Sequence, residues 1–132
     1  MEKDLVIYKA LATTGQAVAS VIQSIKLNKD IRKQDSVIIE EQLAFLRAMC
    51  RAKGYGEVTR VSIDEMDSTF QRIKQKNFPN SMSEMVGNLL MTQYQALQRN
   101  LQNLLKLHPS DRQQDICHSQ RIYHGQFLLY GL

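Results

Sequence analysis

Apolar residues recur along this chain at alternating steps of three and four. Tyr8, Leu11, Gly15, Val18, Ile22 and Ile25 fall on one such stripe, the spacing a helix needs to bury one face. Ile39, Leu43, Leu46 and Cys50 resume it beyond a polar stretch from Lys26 to Asp35. Ile25 and Ile39 are fourteen residues apart, so the two stripes share a frame. Two structures satisfy this pattern. The chain turns within residues 28–36 and makes an antiparallel pair, or one helix runs from about Leu5 to Lys53. The continuous helix would be roughly 73 Å long at about 1.5 Å per residue. A compact domain of this size has a radius of gyration of about 14 Å, so such a helix would project and need a partner chain. Compactness favours the turn. The absence of proline and glycine from the polar stretch leaves the long helix open.

Boundary signals follow the same logic. Asp4 is placed to cap the first helix, and Gly54-Tyr55-Gly56 breaks the second, with Gly54 as its C-terminal cap. Three capping-box patterns then mark helix starts: Ser62 to Glu65, Ser81 to Glu84 and Ser110 to Gln113. The first opens a stripe of Ile63, Met66, Phe70 and Ile73 that should stop before Phe78-Pro79. The second opens a long helix with Val86, Leu90, Leu97, Leu101 and Leu104 inward, ending near His108-Pro109. The third starts a last helix through Ile116 and Tyr123 to about His124, followed by an apolar tail, Gly125 to Leu132, that should fold back. The expected fold is all-α: one domain over residues 1–132, a bundle of four to five helices of antiparallel up-down type. It contains either a long N-terminal helical hairpin or one long helix, and its hinge is the loop from Gly54 to Thr59.

Composition agrees. The chain has 132 residues, of which 43% are hydrophobic, with two prolines, six glycines and no tryptophan. At this length a domain buries about 70% of its unfolded surface and needs no metal or disulfide to fold. Met1-Glu2-Lys3-Asp4 lacks the basic start and apolar core of a secretory signal. The longest uncharged run, Ala10 to Ile25, holds several polar residues and is too short and too polar for a membrane span. The expectation is a cytoplasmic protein with Cys50 and Cys117 as reduced thiols.

No reaction centre emerges. His108, Cys117, His118 and His124 are the best metal candidates, but they supply no paired spacing and no fourth ligand. Cys50 sits near a helix C-terminus, where the dipole disfavours a thiolate. The acids at Asp64, Glu65 and Asp67, and at Asp111, suit the first turns of helices, and no Glu-x-x-His pair is present. Gly54-Tyr55-Gly56 lacks the rest of a phosphate loop. The reading is non-enzymatic, with no metal and no cofactor.

Charge distribution then separates the candidate functions. The net charge is +4. Basic residues cluster at Lys26, Lys29, Arg32 and Lys33, at Arg47, Arg51 and Lys53, and at Arg72, Lys74 and Lys76. Such clusters can hold phosphates with salt-dependent affinity, so a nucleic-acid-binding accessory protein using residues 26–33 and 47–60 is the alternative reading. Two helices, by contrast, are nearly free of charge. None occurs between Lys9 and Lys26, and between Glu84 and Lys106 the only one is Arg99. Charge depletion with methionine and amides matches interface composition, although central helices covered on several sides would read the same way. The leading expectation is a small helical-bundle protein that binds other proteins as a regulator, adaptor, chaperone or inhibitor, and forms a homodimer. Its contact surface is placed on Asn88, Met91, Gln95, Gln98 and Gln102, with Gly15 and Ala19 at a close helix contact.

Overall fold

The computed structural model describes residues 2–54 and 56–106. Among these it contains four α-helices, one 3-10 turn and no strand: α1 (Glu2–Lys26), α2 (Lys33–Lys53), α3 (Glu57–Lys74), the 3-10 turn Asn80–Met82, and α4 (Ser83–Lys106). The expected last helix and tail, with His108, Cys117, His118 and His124, lie outside the described residues.

Each helix packs against the next and α4 closes onto α1. The pairings are antiparallel. Ser20 on α1 meets Asp35 on α2, Arg47 on α2 meets Asp64 on α3, and Asn100 on α4 meets Ser62 on α3. The Tyr94 hydroxyl on α4 donates to the Leu11 carbonyl on α1. The fold is an up-down-up-down bundle, the arrangement short connections impose on neighbouring helices.

The stripes read from the sequence form the core. Ile39, Leu43, Leu46 and Cys50 on α2 are buried, as are Ile63, Met66, Phe70 and Ile73 on α3. Each helix buries a band wider than its heptad positions, because it has two neighbours. On α1, Ile7, Ala10, Thr14, Ala17 and Val21 join Leu11, Val18, Ile22 and Ile25 inside, whereas Tyr8 lies at the edge of the band and is exposed. Leu104, expected inward, is only half-buried, and Leu105 takes the core position.

The chain turns after α1, so no single long helix forms. Asn28 adopts a left-handed conformation (φ 56), and the amides of Asn28 and Lys29 close back onto the carbonyls of Ile25 and Ser24. This is the Schellman closure, which asparagine tolerates better than most residues. Lys76 repeats it after α3 (φ 55), with Lys76 and Asn77 bonding back to Ile73 and Arg72. Gly54 caps α2 in the left-handed region (φ 68), as expected.

Three boundaries differ from expectation. The first helix begins at Glu2, so Asp4 lies inside it and is not the N-cap. The third begins at Glu57, five residues before Ser62, and residues 57–59 are helix instead of hinge. The Ser62 hydroxyl donates to the Val58 carbonyl one turn back, a bond open to any mid-helix serine. α4 starts at Ser83, after the 3-10 turn has used Ser81 and Met82.

Asp35 fixes the start of α2. Its carboxylate is buried and accepts from Ser20 Oγ at 2.6 Å and from Arg32 Nε at 3.1 Å. Burial pushes this carboxyl up, but the bonds from Arg32 and Ser20 and the guanidinium charge outweigh it, holding it below the ordinary aspartate value.

Candidate functional site

The residues proposed for a contact surface converge on one seam, between α1 and α4. A Cβ built on Gly15 would lie 2.5 Å from Tyr94 Oη, so α4 approaches α1 there more closely than any larger residue allows. The close contact expected at Gly15 is therefore made within the chain. Gly87, one face of the same seam, lies against Ile22 and Ile25. Helical residues advance by about 100° each, which puts Asn88, Met91, Gln95, Gln98 and Gln102 on the flank of α4 that Gly87 and Tyr94 turn toward α1.

That flank divides by depth. Gln98 (8% exposed) and Gln102 (7%) are buried in the seam. They are already covered within the chain and offer little surface to a partner. Met91 is half-buried and packs on the core, and Gln95 is half-buried. Asn88 faces solvent, and so does Ala19 across the seam. Met91→Glu would therefore disturb packing as well as any contact, and is a poor probe of the surface.

What the sequence left unassigned is the α1 side of this face. Ala12, Gln16 and Gln23 share the flank of Ala19 and are all exposed. The signal was present in the uncharged run from Ala10 to Ile25, but a heptad reading follows the buried stripe and leaves its opposite side unread. Leu5–Lys26 also has mean hydropathy 1.4, enough by length and composition for a membrane-crossing helix, with 39% of that window buried. The uncharged run is shorter than this window because Leu5, Val6 and Ile7 lie on the far side of Lys9. The core stripe of α1 supplies much of the hydropathy.

The opposite side of the bundle is laced with ions. Arg47 bonds Asp64 at 2.8 Å and reaches Asp67 at 3.5 Å, and Arg60 bonds Glu57 and Asp64 at 3.0 Å each. Lys74 pairs with Glu40 at 2.8 Å. One half of the bundle surface, α2 and α3, is thus charged and paired, and the other, α1 and α4, is nearly neutral.

The basic clusters are separated. Lys26, Lys29, Arg32 and Lys33 lie at the end formed by the α1–α2 and α3–α4 connections, joined there by Lys74 and Lys76. Arg47 and Arg51 stand about 21 and 27 Å further along α2, at about 1.5 Å per residue. Arg47 is held by Asp64, and Arg32 by Asp35. α2 thus puts the basic clusters of residues 26–33 and 47–60 at opposite ends of the helix.

No group of three histidine, cysteine or acidic side chains is placed to hold a metal among the described residues. Cys50 is buried, and burial raises its thiol pKa, away from nucleophilic use. No family model, curated protein or solved structure matches the chain.

Proposed function

We propose that this protein is a non-enzymatic helical-bundle binding module that acts through protein–protein contact, and that the outer face of α1 and α4 is its contact surface. The observation that supports this reading is the asymmetry of charge. Ala12, Gln16, Ala19 and Gln23 on α1 and Asn88 on α4 lie on a face that carries no charge between Lys9 and Lys26 or between Glu84 and Arg99, while the α2–α3 side is crossed by ion pairs. Solvent-facing helices ordinarily carry mixed charge, and depletion of lysine and acids is the compositional mark of an interface centre.

The first partner is a second copy. A twofold contact pairs residue i with j and j with i, so residues at its centre meet their own copies. Any charge at its centre would meet a like charge, and a chain of net charge +4 already repels itself. The neutral α1–α4 face escapes that penalty, and Ala19 lets backbones approach. The paired variant Ala19→Glu, Asn88→Glu tests it, since both positions are exposed and neither packs on the core. The dimer should dissociate to monomer with helicity and thermal midpoint retained. A dimer that survives the two glutamates rules out this face.

A further inference from the structure

At the end of the bundle where α1 turns into α2 and α3 turns into α4, the two connections enclose a cleft of about 660 Å³. It lies apart from the α1–α4 face. Ile31, Val37 and Phe78 give it partly exposed apolar walls above Ile25 and Ile73. Around them stand four lysines, Lys29, Lys33, Lys74 and Lys76, against two carboxylates, Asp30 and Glu40. Both carboxylates are occupied: Glu40 accepts from Lys74 and Asp30 from Lys76. Lys29 and Lys33 have no ion pair among the described residues. The cleft therefore combines an apolar interior with two uncompensated ammonium groups on the α2 side.

Two further features favour negative charge at this place. The first turn of α2, which contributes Lys33, Ser36 and Val37 to the lining, begins without a side-chain cap. The amides of Asp35 and Ser36 bond to the Arg32 carbonyl, which leaves those of Lys33 and Gln34 at the helix start, where the dipole favours negative charge beside the buried Asp35 carboxylate. Lys76 meanwhile holds a left-handed backbone (φ 55) that glycine would adopt more easily, and this residue reaches Asp30 across the cleft. The pair ties the two connections together and keeps Asp30 from neutralising Lys29 and Lys33.

We propose that this cleft binds a small amphipathic anion, an apolar body bearing one carboxylate or phosphate. The volume falls within the range of about 300–1,000 Å³ that accommodates small ligands. The apolar part lies on Ile31, Val37 and Phe78, and the head group meets Lys29, Lys33 and the start of α2. Neither half suffices alone. Exposed lysines hold a free anion weakly in water, and the apolar walls are too open to retain an uncharged chain.

Amide NMR titrations of the full chain with decanoate, decanol and inorganic phosphate separate these contributions. Decanoate, kept below its micellar range, should saturate with shifts concentrated in residues 28–37 and 73–80, while decanol and phosphate each bind at least roughly tenfold more weakly. Lys29→Glu with Lys33→Glu should weaken decanoate by on the order of tenfold and leave the circular dichroism spectrum unchanged, since both side chains are exposed. Val37→Asn should weaken decanoate but not phosphate, since it removes apolar wall without adding charge. Phosphate binding as tightly as decanoate overturns the proposal in favour of a bare charge patch. Shifts centred elsewhere, no saturable decanoate binding, or unchanged affinity in the double lysine variant also overturn it.

Discussion

Gly15→Ala sets two opposed effects against each other. In a helix interior, alanine is favoured over glycine by about 1 kcal/mol, so propensity alone predicts a more stable protein. Yet the new Cβ would lie 2.5 Å from Tyr94 Oη, 2.9 Å from its Cζ and 3.3 Å from its Cε2. Tyr94 is buried, and its hydroxyl donates to the Leu11 carbonyl at 2.8 Å. The ring cannot swing aside without losing that bond. A buried hydroxyl left without a partner costs about 1–3 kcal/mol, and forcing an extra methyl into a packed seam costs about 1–3 kcal/mol. Against the propensity gain, the net is a loss of about 1–5 kcal/mol. Gly87→Ala is the control on the same seam. Its Cβ would meet Ile22 and Ile25 at 3.4 Å, an ordinary contact, so propensity prevails and stability should rise by up to about 1 kcal/mol. Urea unfolding followed by circular dichroism measures both. Gly15→Ala should also be less damaging in a Tyr94→Phe background, where the nearest atom is gone. A Gly15→Ala protein as stable as Gly87→Ala refutes the reasoning and means that α4 stands further from α1.

Two other outcomes follow from the core and from Asp35. Because the carboxyl of Asp35 is held below its unfolded value of about 3.9, its charge contributes stability above that value that is lost as pH falls through the lowered folded value. The urea midpoint should thus drop below about pH 4, and Asp35→Asn should flatten that part of the profile. Phe70 has 0% exposure, so Phe70→Ala should cost about 3–5 kcal/mol, read as a fall in the urea midpoint.

The core was legible in the sequence because burial by a helix has a period, and every apolar position assigned to α2 and α3 lies inside. The boundaries were less so. Ser62-Ile63-Asp64-Glu65 satisfies the capping pattern, but the pattern records only residue types, and packing of α3 against α2 and α4 extends the helix back to Glu57. The stop at Asn28 was hidden for a related reason. A left-handed asparagine is a weaker sequence mark than glycine, and nothing local shows that Ser20 will hold Asp35 across the turn. Spacing along α4 places Asn88, Met91, Gln95, Gln98 and Gln102 on one flank but does not give their depth. Whether a glutamine at the edge of a stripe is covered depends on how closely the next helix approaches, and Gly15 sets that distance. Gln98 and Gln102 are inside, while Ala12, Gln16 and Gln23, on the opposite side of α1 from its buried stripe, are exposed.

Light scattering on a size-exclusion column, at several loading concentrations, addresses the proposed contact most directly. The account predicts a species of twice 15.2 kDa for the natural chain, falling to the monomer mass for Ala19→Glu, Asn88→Glu with its helicity intact. A monomer at every concentration, or a dimer indifferent to those glutamates, would contradict it.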